Sequence, residues 1–483
     1  MNYFLGLDIG TKNIKAIIIS DEYEVVEKSI IPIYDLTIKL EGNFVERNPK
    51  ELWIRIKNCL NKMKYVGKVN GICIDATSGT FTSIDRNGNP LHNFIMYNDR
   101  RAIMEAKILR KKSNAAKMFE KYLPITPEMV LPKLIWLKNN FSKFKNIYKI
   151  LHESDYFVYK LSGNIITSPN IAGKSSALLD KLGYLEEAYR DVDININIMP
   201  EIKGIGEIIG YVSKEASRET GLPEGTPIVN GVTDASAGDI TSGSIKSGQA
   251  NVTIGTALTL HAVVDKLVPD LKKRFYYKAF LNNLYLAGGF TNAGTTSFDT
   301  ISRLIGISIE ELTDMALNVP IGSEGLFACS EWYGVRVPRS YPGLKGFFIG
   351  LSEINAKPGY LFRSLLEASS YTLKLLLNAV ENTTNVIFKD LRISGGASKN
   401  NLFMQIISDV IGREVKVVEE KDSALGSAIL AMSSCLRKGI DEIVSKMVKI
   451  RGIFTPNIEN NKRYEKLSKK YEKIVLSLSK ILS

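Results

Sequence analysis

The tripeptide Ile-Gly-Thr occurs at residues 9–11 and again at 254–256, and each copy lies between two short runs of β-branched and apolar residues. The flanking runs are 3–8 and 14–20 in the first case, 251–254 and 258–264 in the second. Such runs around a small, polar turn read as β-hairpins. A tight glycine turn also aims successive backbone N–H groups and the threonine hydroxyl outward, as an anion cradle requires. Two hairpins of one design in a chain of 483 residues predict two halves of similar build. Their turns, Gly10-Thr11 and Gly255-Thr256, are expected to face each other and grip one polyphosphate from both sides.

The segments between them fit α/β layers. Gly221-Leu-Pro-Glu-Gly-Thr-Pro227 is a turn-rich lead into a strand at 228–231, after which Thr233-Asp234 caps a short helix of small residues. Strands at 284–289 and 391–394 then alternate with helices at 295–305, 360–383 and 401–411. From residue 460 onward, Tyr464, Leu467, Tyr471, Ile474 and Leu478 recur at helical spacing, which predicts a packing helix. The expected domains are 1–247, 248–440 and a helical tail, 441–483, packed on the second domain.

Composition removes several classes of function. Lys+Arg 63 against Asp+Glu 51 gives a net charge of +12, but the basic residues are diffuse. Their densest groups, at 110–112, 133–149 and 462–473, are interleaved with apolar residues as on solvated helix faces, so nucleic acid is not the expected partner. Cys59, Cys73, Cys329 and Cys435 are far apart and form no Cys-x-x-Cys pair, which argues against a disulfide framework or a zinc knuckle and for a reducing compartment. No run approaches ~18 apolar residues, and residues 1–10 enter a strand pattern at once. The expected location is the cytoplasm, without membrane insertion.

Among phosphate-binding signatures, the Gly-x4-Gly-Lys-Ser/Thr loop is absent. Gly204-Ile-Gly206-Glu-Ile-Ile-Gly210 imitates a dinucleotide fingerprint, but its third glycine is one position late and a strand-like run follows. Gly395-Gly396-Ala397-Ser398-Lys399-Asn400 follows a strand and opens a helix, so its backbone can approach a flat ligand closely. Asp8, before the first glycine turn, reads equally as a turn former or a metal-anchoring carboxylate. Asp234 reads first as a helix cap. His92, His152 and His261 lie outside these motifs and read as structural or solvated.

Taken together, Asp8-x-Gly-Thr, Trp53, Pro132-Lys133-Leu-x-Trp136, the 221–227 turn, Gly231-x-x-Asp234, Gly255-Thr256, Gly334-x-Arg336-x-Pro338, and Gly395-Gly-Ala-Ser-x-Asn400 with Gln405 and Asp409 resemble, in order, the FGGY family of carbohydrate kinases over about residues 3–435. The resemblance implies an actin-like, ribonuclease-H-like fold of two α/β domains with an ATP cleft between them. It also implies MgATP-dependent phosphorylation of the terminal hydroxyl of a sugar.

The loops Ile74-Asp75-Ala-Thr-Ser78-Gly79-Thr80 and Met96-Tyr97-Asn98-Asp99-Arg100 lack the Gln-Met-His-Gly of typical xylulokinases and the Asn-Gln-Arg-Glu of glycerol kinases. They look like those of ribulokinase-type pentulose kinases. D-ribulose, converted to D-ribulose 5-phosphate, is therefore the first expectation; a xylulokinase or other polyol kinase is the alternative. An actin-like or chaperone-like ATPase without sugar chemistry is the alternative of a different class.

By the same resemblance, Asp234 is the base that takes the hydroxyl proton, and Asp8, with Asp234, is the candidate for Mg2+ and touches the sugar. Gly10, Thr11, Lys12, Lys15, Gly255 and Thr256 hold the phosphates of ATP. Gly294, Gly396, Ala397 and Asn400 line the nucleoside pocket. Asp75, Ser78, Asp99 and Arg100 face the sugar. Two departures stand out: Lys12 replaces the usual Thr or Ser, and Tyr360 the usual His before the helix bearing Glu367. A homodimer is left open.

Overall fold

The computed structural model of the chain describes residues 1–338, 340–419 and 422–482. They form two compact units: Met1–Ile245 with Lys278–Tyr285 and Lys421–Val448, and Lys246–Tyr277 with Leu286–Glu420 and Lys449–Ser483.

In the first unit every residue of the strand Tyr3–Ile9 is buried, which requires cover on both faces of the sheet and makes this a central strand. Its six-stranded sheet runs, in spatial order, Val25–Pro32, Asn13–Ser20, Tyr3–Ile9, Val69–Ala76, Pro227–Val229, Ile208–Tyr211. The hairpin pairs antiparallel with Asp8 opposite Lys15. On its other side Tyr3–Ile9 pairs parallel with Val69–Ala76, which puts Asp8 beside Asp75. The helix Ser423–Leu436 packs on these strands and on the helix Asp234–Ser242. Both contacts are backbone-close: a Cβ on Gly6 would lie 1.8 Å from the Ala424 carbonyl oxygen, and one on Gly426 2.0 Å from that of Ala237. A second sheet of five short strands, Thr37–Leu40, Phe44–Arg47, Phe94–Ile95, Phe81–Ile84 and Lys149–His152, carries the 77–80 and 97–101 loops.

The second unit repeats the first sheet's plan. Its hairpin Gln249–Ile254 and Leu258–Val264 is antiparallel, Gln249–Ile254 pairs parallel with Asp390–Ser394, that strand pairs parallel with Val415–Val418, and an antiparallel edge, Ile450–Phe454, closes the row. Strands Tyr285–Thr291 and Tyr276–Ala279 extend the hairpin side to seven. The duplicated tripeptide thus marks a duplicated sheet.

The division differs from the expectation of 248–440 and 441–483. Residues 422–448 return to the first unit, because the helix Ser423–Leu436 supplies the apolar cover its sheet needs. Only the part from Lys449 belongs with the second. There the helix Ile458–Leu482 packs on the helices Pro358–Thr384 and Asn401–Ile411, and Tyr464 donates to the buried Glu367 at 3.0 Å. Lys133 is also not on a solvated face: it is fully buried, and its ammonium donates to the Met96 carbonyl at 2.7 Å. No described helix is long and apolar enough to cross a membrane.

Candidate active site

The register of two parallel strands creates the chemical centre of the first unit. Asp8 and Asp75 are neighbours, both buried. Asp75 Oδ2 accepts from the Ser427 hydroxyl at 2.5 Å, while Asp8 Oδ1 and Asp75 Oδ1 have no other donor among the described residues. Burial, then the charge of Asp234, raises the Asp8 carboxyl from 3.8 to about 6 against the opposing pull of Lys15. Burial and the Asp8 charge push Asp75 well above the ordinary carboxylate range. The two adjacent carboxyls titrate as a pair, both held above the ordinary carboxylate range. Asp75 has no exposed surface, so it does not present itself to a sugar as expected.

Asp234 is half-buried at the first helical position, after Thr233. Thr233 occupies the cap position, but its hydroxyl goes to Asn170 Oδ1 at 3.1 Å and the Ser236 hydroxyl at 3.3 Å rather than to a helix N–H. Asp234 Oδ1 takes the Ala235 N–H at 2.7 Å. The charge of Asp234 reaches Asp8, Asp75 and Glu153, raising all three. The three motif carboxylates 8, 75 and 234 are therefore one electrostatic cluster, assembled from segments far apart in sequence.

The glycine turn of this unit, expected to hold phosphate, is closed by Gly10 N–H donating to the Asn13 carbonyl at 3.0 Å. Thr11 Oγ1 lies 3.4 Å from the Tyr97 hydroxyl, and the Lys12 side chain is exposed. Lys15 is engaged in an ion pair with Asp422 at 2.6 Å; its own burial pushes its ammonium down, but Asp422 outweighs that and raises it.

In the loop expected to face the sugar, Ser78 is half-buried and its carbonyl accepts from the Lys174 ammonium at 2.8 Å. One expectation changes here. Asp99 is fully buried and spent on structure, accepting from Val45 N–H at 2.6 Å and from Arg101 Nε at 2.9 Å. Arg100 is exposed, 3.4 Å from Glu128.

Sequence reasoning missed Lys174. Burial, then Lys278, depress its ammonium to about 8, while Glu128 and Asp234 oppose the shift, and it lies over the Tyr97 ring at 5.9 Å. It had no local motif to announce it. Arg47 and Glu153 were missed too, because each is polar in an ordinary strand or helix and their pairing spans 106 positions.

In the second unit the glycines converge around the other hairpin turn. A Cβ on Gly294 would lie 2.5 Å from the Gly255 carbonyl and from Ala257, and one on Gly395 2.6 Å from the Ile254 carbonyl. Gly255 accepts from Thr295 N–H at 2.8 Å, and Thr256 from the Thr296 hydroxyl at 2.8 Å. Gly396 has open space where a Cβ would be, and Ala397 is half-buried in the same short turn. Asn400, expected against the nucleoside, caps the helix Asn401–Ile411 through Phe403 N–H at 3.0 Å and donates to Thr313 at 2.8 Å. Gln405 and Asp409 bond each other at 2.8 Å, and Asp409 also holds Asn457 and Asn460, tying on the C-terminal helix.

The donor set fits MgATP. Among the described residues no group of three or more His, Cys, Asp or Glu meets to cage a metal. Mg2+ is normally held by one or two carboxylates plus phosphates and water, which the under-coordinated Asp8 beside Asp234 can supply. Bare glycine backbone suits the close approach of nucleotide.

Two sheets of one plan, each with a glycine turn after its first strand, are the plan of the actin-like class of two-unit ATPase folds. Models of the N-terminal and C-terminal domains of the FGGY family of carbohydrate kinases match residues 3–241 and 253–435, and the chain belongs to that family. It is 26% identical over 502 residues to the gluconokinase of Bacillus subtilis (strain 168), covering 100% of this chain and 96% of the relative. It is 27% identical over 500 residues to the xylulose kinase of Haemophilus influenzae, covering 99% and 100%. A crystal structure described as a xyloylose kinase from Brucella ovis matches with a TM-score of 0.93 at 20% identity, over 99% of this chain and 100% of the other. The chain is thus a carbohydrate kinase, and the filament or chaperone alternative falls away.

Proposed function

We propose that the chain transfers the γ-phosphoryl group of MgATP to the terminal hydroxyl of a ketopentose, D-xylulose before D-ribulose. The observation that carries the transfer is the 8/75/234 carboxylate cluster. Asp234, half-buried and within the field of two buried acids, accepts the hydroxyl proton as the oxygen attacks. Burial and the Asp8 charge favour the protonated form of Asp75, which leaves Asp8 as the carboxylate that would face Mg2+. The metal, when bound, neutralises phosphate charge. Phosphoryl transfer asks chiefly for such positioning and charge balance.

The order of sugars follows the relatives. Those matched along their full length carry the names xylulose kinase and gluconokinase, which outweighs the loop similarity behind the D-ribulose expectation. Gluconate is a second reading with its own observation: Lys174, bonded to the Ser78 carbonyl in the sugar-side loop, is a cation that a carboxylate would pair with.

The test is ADP release across D-xylulose, D-ribulose, L-xylulose, L-ribulose, gluconate, ribitol and glycerol. A kcat/KM for D-xylulose at least ~10-fold above the rest supports the proposal, since a hydrogen-bonding site rejects a misplaced hydroxyl by that much or more. A preference for D-ribulose or gluconate overturns the order, and no sugar-dependent release overturns the function.

A further inference from the structure

Arg47 ends the strand Phe44–Arg47 with its guanidinium wholly buried. Nη2 donates to the Thr11 carbonyl at 2.8 Å; Nη1 donates to the Gly10 carbonyl at 3.2 Å and to Glu153 Oε1 at 3.1 Å. Glu153 is equally buried. Its Oε2 accepts from the Thr77 hydroxyl at 3.0 Å, and its N–H donates to the Thr80 carbonyl at 3.0 Å. The Thr77 and Thr80 hydroxyls are 2.7 Å apart, and Thr80 Oγ1 accepts from Tyr97 N–H at 3.0 Å. The Tyr97 hydroxyl lies 3.4 Å from Thr11 Oγ1. The chain of bonds closes into a ring that joins the phosphate turn to both sugar-side loops.

A buried ion pair is a weak source of net stability compared with apolar side chains of the same volume, so stability alone does not account for this one. Its placement does. In a trans peptide the C=O of one residue and the N–H of the next point opposite ways. Drawing the Gly10 and Thr11 carbonyls toward one guanidinium therefore turns the Thr11 and Lys12 N–H groups to the opposite side, where a phosphate can meet them. A shift of Thr77 is felt at Glu153, and a shift of Glu153 moves the group that sets those peptide planes.

We propose that Arg47, Glu153 and Thr77 form a positioning relay through which a sugar on the 77–80 loop and the phosphates on the 10–12 turn raise each other's affinity. The proposal rests on the sugar-kinase reading. The relay residues touch neither ligand; they act through the loops they hold.

The experiment is calorimetric binding of a non-hydrolysable ATP analogue with Mg2+, with and without saturating sugar, to the parent, Thr77→Val and Thr77→Ser. The sugar is the one with most turnover in the panel above, D-xylulose being expected. In the parent, sugar should tighten analogue binding at least ~5-fold, the lower end of ordinary coupling, with reciprocal tightening of sugar by analogue. Thr77→Val should bring that ratio to about 1, and Thr77→Ser, which keeps the hydroxyl, should restore it. Analogue affinity without sugar should stay within ~2-fold in both, a combination that a merely structural role does not produce. Should Thr77→Val fail to fold, Arg47→Lys reads the same ratio, because one ammonium cannot hold Glu153 and two carbonyls at once. A ratio kept in the variant, a ratio of one in the parent, or loss of analogue binding without sugar by Thr77→Val overturns the relay. If the parent turns over a sugar but shows no ratio, the relay fails alone and the kinase reading stands. If no sugar is turned over, both fail.

Discussion

Asp8 and Asp75 both bind a proton more tightly in the folded chain than free carboxyls do, and this has a thermodynamic cost that can be measured. Between 3.8 and the raised value of Asp75, the native state keeps a proton the unfolded chain has released. Stability therefore falls as pH rises through that window, by up to about 1.4 kcal/mol per pH unit for one group. Asp8 adds to the slope between 3.8 and about 6. Asparagine at 75 keeps a donor for Asp8 and does not titrate. The thermal midpoint of Asp75→Asn relative to the parent should rise from pH 5 to pH 8, with turnover at pH 7.5 within ~5-fold of the parent's. A midpoint difference independent of pH would contradict a raised Asp75 carboxyl. Asp8 and Asp234 were legible because short glycine motifs frame them. Asp75 and Asp99 were legible as polar residues in the right loops, but not in their roles. Strand register with Asp8 and the bond to Ser427, 352 positions away, decide the first, and the bond to Val45 N–H decides the second.

Elements were easier to read than their partners. Both hairpins, the helix Pro358–Thr384 and the C-terminal helix announced themselves by periodicity and turn residues. The helix Ser423–Leu436 did not announce which sheet it covers, because an apolar, small-residue helix fits either half. What selects the first sheet is the contact at Gly6 and Gly426, where backbones approach without side chains between them. The same close approach makes the second turn testable. In Gly294→Ala the new methyl would meet the Gly255 carbonyl and Ala257 backbone at 2.5 Å, so the turn must open. Binding of the ATP analogue should weaken at least ~10-fold, about 1.4 kcal/mol, while sugar binding measured without nucleotide changes by less than ~2-fold. Unchanged nucleotide binding would take this turn out of the nucleotide site.

For the molecule as a whole, duplication is the organising fact, visible in the sequence as one tripeptide and in the structure as one sheet plan used twice. The net charge of +12 carried no functional information, and part of it is interior: Arg47 and Lys133 are fully buried. The identity of the sugar was the least legible property, since under the proposed reading it depends on which hydroxyls the 77–80 and 97–100 loops and Lys174 can satisfy. The central claim is that Asp234 is the base of a sugar-dependent phosphoryl transfer. Its most direct test is sugar-dependent ADP release by the parent and by Asp234→Asn, side by side, with folding checked by circular dichroism. Asparagine can still accept the Ala235 N–H, so the thermal midpoint should move by only a few degrees. Turnover should fall by ~10² or more, the usual contribution of a general base. A folded Asp234→Asn protein that turns over sugar as fast as the parent would contradict the assignment.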